Sequence, residues 1–519
     1  MTENKTPAWM LGHLARTMKK EYKTAFLAAF ITGLFVHMPV LLSDIPNHDG
    51  LGSMHFNQNM ITSGRWFLTV ACGLSSYFTI PWVIGLLGLF YLALTAVALT
   101  ALLELKDRVS IILISGLLVS FPALASTFAY VFTLDGYMLA LFLAVLSVLC
   151  TKRRGNGFWL GAVCLAFSMG TYQAYLPFAV LLSVYEIAVI FVENGKIGDK
   201  IRMALRYLYM GAAGMALYYV ILRLLLLVEG KELASYQGID GMAGGFRLSS
   251  IAQMYRDFLS FSVKGNVIFN NFYSAFACAV LAALAVWTVF RLCLQRKWWK
   301  NLGFFVIIAL LMLVLPLAAN IVLLVSPDAT YHLLMRYQWV LFLILTVAFV
   351  DRYTDSGAKA GCTLRWGLTL AAAVLVFNYA VTDNIGYSNL HKRYEKTYAY
   401  CARLLDRIEQ TEGYYQGIPI AMVGVVGYNP YPVTDITLPV TSNMIGLNGD
   451  TLLYTGENYQ VFIQNYLGAT LNIMSPEEME EKGIYFSEEY IQMESFPARS
   501  SVKVVDGTMY VKTENVGRD

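Results

Sequence analysis

The chain has 519 residues, 57% of them hydrophobic and only 14% charged, and its formal net charge is +3. Soluble globular proteins carry roughly 25% charged residues, so this composition excludes an ordinary soluble domain and indicates a polytopic membrane protein. The small net charge gives no electrostatic footprint for nucleic acid, and seven scattered cysteines without CxxC or Cys/His spacing exclude a disulfide framework or a zinc site.

In chain order, Arg16, Lys19, Lys20 and Lys23 lead into an apolar run of spanning length, which reads as a retained anchor. At about 20 residues per crossing, apolar segments fall at 24–43, 80–103, 109–130, 136–150, 157–171, 174–192, 207–228, 271–291, 302–325, 337–350 and 366–383. The expectation is an α-helical polytopic protein with eleven transmembrane helices. Alternate connections are basic: Lys106 and Arg108, then Lys152 to Arg154, then Lys196, Lys200, Arg202 and Arg206. Arg291, Arg296, Lys297 and Lys300 continue the series, followed by Arg352, Lys359 and Arg365. The connections at 131–135 and 172–173 hold no lysine or arginine. Lysine and arginine concentrate in cytoplasmic loops, so the pattern predicts a cytoplasmic N-terminus, loop 44–65 outside and an extracytoplasmic C-terminal region.

Residues 229–265 read as a Gly-rich loop followed by an amphipathic, interface-lying helix around 250–262. Beyond residue 383 the composition turns polar. "YEKTYAYCARLLDRIEQ" has helical periodicity, "IPIAMVGVV" reads as a buried strand and "SVKVVDGTMYVKT" as a hairpin with an Asp-Gly turn. The expected organisation is a transmembrane catalytic domain at 1–383 and a small extracytoplasmic α/β domain at 384–519.

Chemistry-bearing residues collect at the predicted outer ends. "SDIPNHDG" holds Asp44, His48 and Asp49, and its loop closes in "SGRW" with Arg65 and Trp66. "FTLDGY", read as a short turn, carries Asp135 and Tyr137, and "GTYQAY" carries Tyr172, Gln173 and Tyr175. "SPDATYHLLMRYQW" adds Asp328, His332 and Arg336, and Arg223 lies near the outer end of its span. Charges at membrane depth cost roughly 2.5–3.5 kcal/mol on insertion scales and tend to face protein-lined cavities. Asp49, Asp44 or Asp135 can act as general base toward a sugar hydroxyl. Arg65, Arg336 and Arg223 can hold a lipid-linked phosphate. His48, Trp66, Tyr137, Gln173, Tyr175 and His332 are candidates for sugar or acceptor contact. Each has a plainer reading: a solvated loop acid, a snorkelling arginine, an aromatic belt, or a helix-to-helix hydrogen bond at Gln173. No Gly-rich phosphate loop or cytoplasmic domain offers a site for a nucleotide sugar.

In "DIPNHDG", "SGRWF", "FTLDGYMLALFLAVLS" and "GTYQAYLPFAV" the chain resembles polytopic glucosyltransferases related to the serotype-converting O-antigen enzymes, the Gtr type-two group. The likeness covers residues 24–192, with the remainder similar in layout. It implies a GT-C-type fold in a bacterial cell membrane. It also implies inverting transfer of a hexose, glucose in this group, from a polyprenyl-phosphate-sugar to a cell-envelope glycan. Carried over, Asp49 best matches the loop carboxylate and Asp44 is second; Asp135 matches the second-turn acid and Arg65 the basic residue ending the loop. The implied partners are the lipid donor, the glycan acceptor and membrane lipids, with no nucleic acid. No cofactor is fixed; a divalent cation, Mg or Mn, is the candidate, and such hard cations want several oxygen ligands. The alternative is a lipid-linked sugar flippase or transporter without chemistry. That function calls for polar or broken spans near the midplane, whereas here the polar residues collect at span ends.

Overall fold

The computed structural model describes residues 6–55, 57–73, 78–153, 155–193, 195–234, 248–264, 267–300, 302–325, 330–354, 359–423, 438–449, 452–453 and 455–513. The chain separates into two compact units, one formed by 1–42 and 56–384, the other by 43–55 and 385–519. The polar segment that follows the first apolar helix thus belongs with the C-terminal residues, a grouping that no single cut along the sequence reproduces.

The first unit is helical because its apolar runs are long and rich in Leu, Ala and Phe. Its elements begin with α1 (Pro7–Thr17) and α2 (Lys20–Leu41); the short α3 (His48–Gly52) belongs to the second unit. There follow α4 (Leu68–Gly73), α5 (Pro81–Leu102), α6 (Arg108–Ser120), α7 (Pro122–Phe128), α8 (Val131–Arg153), α9 (Gly157–Thr171) and α10 (Leu176–Val192). The long α11 (Ile197–Glu229) precedes the amphipathic α12 (Leu248–Lys264), α13 (Phe272–Gln295), α14 (Leu302–Ala319), α15 (Val322–Val325), α16 (Val340–Tyr353) and α17 (Lys359–Glu409). Among the described residues eight helices are long and apolar enough to cross a membrane, and α6 with α7, bent by 49°, makes a ninth if the pair is one span. The expected segments 157–171 and 302–325 lie on shorter apolar helices.

Three local readings are corrected. Asp135 does not sit in a turn: α8 starts at Val131, so Asp135 and Tyr137 lie in its first two turns. The expected span 109–130 is broken at Pro122, whose ring has no N–H to donate and holds Phe121 extended (φ −70°, ψ 128°). The expected span 366–383 and the amphipathic stretch beyond it form one helix of 51 residues, because no proline interrupts 359–409.

Small residues let the helices approach closely. A Cβ on Gly88 would stand 3.2 Å from Leu134, and one on Gly161 would meet the Ser147 carbonyl at 2.5 Å. At the basic end, Lys152 lies 3.0 Å from the buried Glu186 and 3.4 Å from Glu104, while Arg352 lies 3.4 Å from Glu104 and 3.3 Å from Glu193. This network ties α5, α8, α10 and α16 together and accounts for Glu186 structurally.

In the second unit a four-stranded sheet has the order β2-β1-β4-β3. β1 (Pro419–Val423) is central and parallel to both β2 (Asn472–Ile473) and β4 (Thr508–Lys512). β3 (Val502–Val505) pairs antiparallel with β4 through Asp506 (φ 46°) and Gly507 (φ 76°), the two positive-φ positions that an Asp-Gly hairpin turn requires. The part of "IPIAMVGVV" from Gly424 onward lies outside the described residues, as does the Gly-rich run 235–247.

Candidate functional site

The predicted residues fall into separate groups. In the first unit, the turn 60–65 closes by a Met60–Arg65 bridge, with Gly64 at φ 73° where a side chain would be strained. It is pinned from two sides. Gln173, buried, donates to the Ser63 carbonyl at 3.0 Å and to the Tyr218 hydroxyl at 3.1 Å, and Tyr218 donates to the Gly64 carbonyl at 3.1 Å. The Phe67 N–H reaches the Gly170 carbonyl at 2.7 Å, and the Trp66 indole lies directly over Gly170 and edge-on to Phe167.

So pinned, Arg65 donates to the Tyr137 hydroxyl at 3.1 Å, and its guanidinium lies 5.1 Å from the Tyr172 ring. Tyr137 and Tyr172 stack at 4.1 Å, and Tyr172 meets Tyr175 edge-on at 5.4 Å. Arg65, Trp66, Tyr137, Gln173 and Tyr175 are therefore brought together. Trp66, Gln173 and Tyr175 are buried, however, and build the wall rather than present an open sugar platform. Tyr172 and Tyr218 complete it. Tyr218 was not legible as a site residue, because a tyrosine in a long apolar helix carries no sequence mark. Asp135 is buried two residues before Tyr137 on α8, its carboxylate accepting from the Gly136 N–H at 2.9 Å. Gly136 packs on Cys72, where a Cβ would lie 2.6 Å from the sulfur.

Arg336 lies elsewhere in the first unit. Its fork meets Asp257 of α12 twice, at 2.6 and 2.7 Å, and its Nε donates to the Tyr331 carbonyl at 3.1 Å. The guanidinium stands 4.0 Å from the Tyr331 ring and 4.6 Å from that of Phe261. His332 sits beside it, and burial, with the Arg336 charge second, lowers its pKa, so at neutral pH it supplies no positive charge. Asp328 lies outside the described residues.

Arg223 is exposed near the end of α11 and lines a cavity of about 540 Å3 with Lys231, Glu232 and the leucines Leu224, Leu226, Leu227 and Leu233. The segment after α11 is held by the Ala234 N–H donating to the Thr62 carbonyl at 3.0 Å, so the cavity adjoins the turn that carries Arg65.

In the second unit, Asn47 caps α3 by accepting from the Gly50 N–H at 2.9 Å, which presents His48 and Asp49 in its first turn. Their side chains approach to 3.4 Å. Burial lowers the His48 pKa, Asp49 opposes the shift and Arg393 adds to it, leaving a neutral imidazole beside Asp49 at neutral pH. Arg393 is itself buried and donates to the carbonyls of Gly446 and Asn448. Burial raises the pKa of Asp44, which lies within electrostatic reach of Tyr394 and Tyr466. Among the described residues, no group of three or more His, Cys, Asp or Glu is placed to hold a metal ion.

A family model described as glucosyl transferase GtrII matches residues 38–350. The chain belongs to this family. No curated protein and no solved structure matches it. Membership marks the GtrII chain as a glycosyltransferase, and its long apolar helices are compatible with a multi-pass membrane protein. The match spans every predicted site residue from Asp44 to Arg336 and ends within α16, before α17 and the sheet of the second unit.

Proposed function

We propose that the protein transfers a glucosyl group from a polyprenyl-phosphate donor to a cell-envelope glycan at the extracytoplasmic membrane face, with inversion at the anomeric carbon. The cavity at the end of α11 carries this reading. Arg223 stands there among four leucines, with Glu232 and with Lys231, which pairs with Glu229 at 2.7 Å; an arginine at the rim of an apolar cavity is the chemistry of a phosphate whose isoprenoid tail stays in the bilayer. Arg65 is engaged with Tyr137 and Tyr172, and its role is to shape the neighbouring aromatic wall. Arg336 is committed to Asp257 and is not assigned to the phosphate.

In the proposed reaction the acceptor hydroxyl attacks the anomeric carbon. A new C–O bond forms as the bond to the phosphate oxygen breaks, the phosphate leaves with the electron pair, and a carboxylate takes the hydroxyl proton. The resemblance to the type-two group assigns that base to Asp49, which neutral His48 adjoins; the buried Asp135, in the same unit as the cavity, is the competitor. Membership in a glucosyl transferase family favours this chemistry over a flippase.

The test is purified protein with polyprenyl-phosphate-glucose and envelope glycan fractions, followed by sugar transfer with and without chelator. Asp49→Asn keeps size and polarity but removes proton acceptance, so turnover should drop about 100-fold or more, in the range of general-base contributions. Normal turnover in that variant alongside a large loss in Asp135→Asn would move the base to Asp135. Absence of transfer from any polyprenyl-phosphate sugar would overturn the donor class.

A further inference from the structure

Gly230 ends α11 in the left-handed region (φ 63°), and the chain folds back there on the helix it has just left. The Gly230 N–H donates to the Leu227 carbonyl at 3.3 Å and the Lys231 N–H to the Leu226 carbonyl at 3.0 Å, the two bonds by which a glycine at this position caps a helix and reverses the chain. The reversal brings Lys231, Glu232 and Leu233 back against the end of the helix, and the bond from Ala234 to Thr62 holds the segment there. The cavity of about 540 Å3 lies between the two: Arg223 lines it from the helix and Glu232 from the returning segment. Glu232 was not singled out from the sequence, where it is one acid in a polar loop.

The ionisable groups at this end of α11 divide into a pair that is satisfied and a pair that is not. Lys231 is held by Glu229 at 2.7 Å, and Glu229 also accepts from the Asn59 side chain, so these two charges cancel locally. Arg223 lies 6.0 Å from the Tyr219 ring. Among the described residues neither Arg223 nor Glu232 has an ion pair or a hydrogen bond, although both line the same cavity. An arginine alone accounts for a phosphate site; a carboxylate beside it repels the phosphate and needs a reason of its own. Carboxylates accept hydrogen bonds and donate none, so Glu232 calls for a donor on the bound molecule. A ligand with an anionic group for Arg223 and hydroxyls a few bonds away for Glu232 has the make-up of a sugar phosphate. The cavity volume lies in the range of small-molecule sites, and its four leucines suit the apolar start of a lipid tail. Magnesium held between Glu232 and the phosphate is the competing use of the same groups, since that cation takes one or two carboxylates together with substrate phosphates.

We propose that Glu232 is a specificity-determining residue of this cavity, its carboxylate accepting a hydroxyl of the donor's glucosyl unit while Arg223 holds the phosphate. This rests on the lipid-linked donor proposed above. It gives the acid at the cavity a function that phosphate binding by itself would penalise, and it keeps the two ends of the donor's head group within one cavity.

The test uses purified full-length protein, wild type, Glu232→Ala and Glu232→Gln, with polyprenyl-phosphate-glucose and its monodeoxy analogues as donors. The readouts are melting temperature, kcat/KM for the donor, and transfer with and without chelator. Glu232 is exposed, so both variants should melt with wild type. With the glucose donor, kcat/KM should fall about tenfold in Glu232→Ala, the effect of one hydrogen bond to a charged group at an open site, and less in Glu232→Gln, which still accepts. The difference between wild type and Glu232→Ala should vanish with the one analogue that lacks the hydroxyl Glu232 receives, and persist with the others and in chelator. If Glu232→Ala melts early, the Glu232→Gln series with the same donors decides. A carboxylate that merely opposes the phosphate gives the opposite sign: Glu232→Ala would half-saturate at lower donor concentration and treat every analogue alike, which would overturn the proposal. Chelator that reduces wild type to the level of Glu232→Ala and leaves the variant unaffected would also overturn it, assigning the carboxylate to a cation. Absence of transfer by wild type from every polyprenyl-phosphate sugar would overturn the donor reading and this inference together, whereas normal wild-type transfer with an indifferent Glu232→Ala would overturn this inference alone.

Discussion

Replacing Arg336 by lysine or methionine separates two jobs that an arginine at a helix end can do. The structure ties this guanidinium to Asp257 by two hydrogen bonds of 2.6 and 2.7 Å, with side-chain exposures of only 10% and 23%. Removing one partner of a buried pair costs about 3–5 kcal/mol. Asp257 is partly open and keeps the Asn320 amide at 3.0 Å, so the low end applies, about 3 kcal/mol for Arg336→Met. Arg336→Lys retains the charge and one hydrogen bond. It loses the second, the bond to the Tyr331 carbonyl and the planar stacking at 4.0 Å, for a cost of about 1–2 kcal/mol. Unfolding of purified protein should therefore rank wild type above Lys above Met. A cycle that adds Asp257→Asn should return a coupling of about 1–3 kcal/mol, with donor saturation unchanged in Arg336→Lys. If Arg336→Lys is as stable as wild type but needs much more donor for half-saturation, the guanidinium serves the phosphate and the structural reading is refuted.

Gly170→Ala would drive a methyl into the Trp66 ring and strain the Phe67–Gly170 hydrogen bond. A loss of about 1–3 kcal/mol and reduced transfer are expected, and a wild-type melting temperature would show that this contact is not tight. Burial raises the Asp44 pKa above its unfolded value, so its folded state favours the protonated form and stability falls as pH rises through that raised pKa. Melting curves taken upward from the ordinary carboxylate pKa of 3.8 should show this slope in wild type and lose it in Asp44→Asn; an unchanged slope in the variant would assign it to another group. A reporter fused after Tyr400 should be active on the extracytoplasmic side, and cytoplasmic activity would overturn both the topology and the proposed site of the reaction.

Much of the architecture was legible because it depends on local properties. The length of an apolar run set against bilayer thickness placed the helices, and Asp506-Gly507 between alternating apolar residues placed the hairpin. Residues 394–410 were readable as helix from periodicity alone, since one apolar stripe is enough to show it. Of the candidate site, the association of Arg65 with Tyr137, Gln173 and Tyr175 followed from their shared position at span ends.

What the sequence by itself determined is where this chain is apolar enough to be helical and where polar residues interrupt it. The tertiary structure alone decided which partner each polar residue finds. Arg336 meets an aspartate 79 positions away, Asp44 and Asp49 join the C-terminal unit, Asp135 enters a helix, and Asp383 is buried without a hydrogen-bond partner. The physical reason is range: helix formation in an apolar run is settled within a few turns of one segment. The fate of a charge depends on long-range packing that brings distant segments together, or leaves a carboxyl with no hydrogen-bond partner.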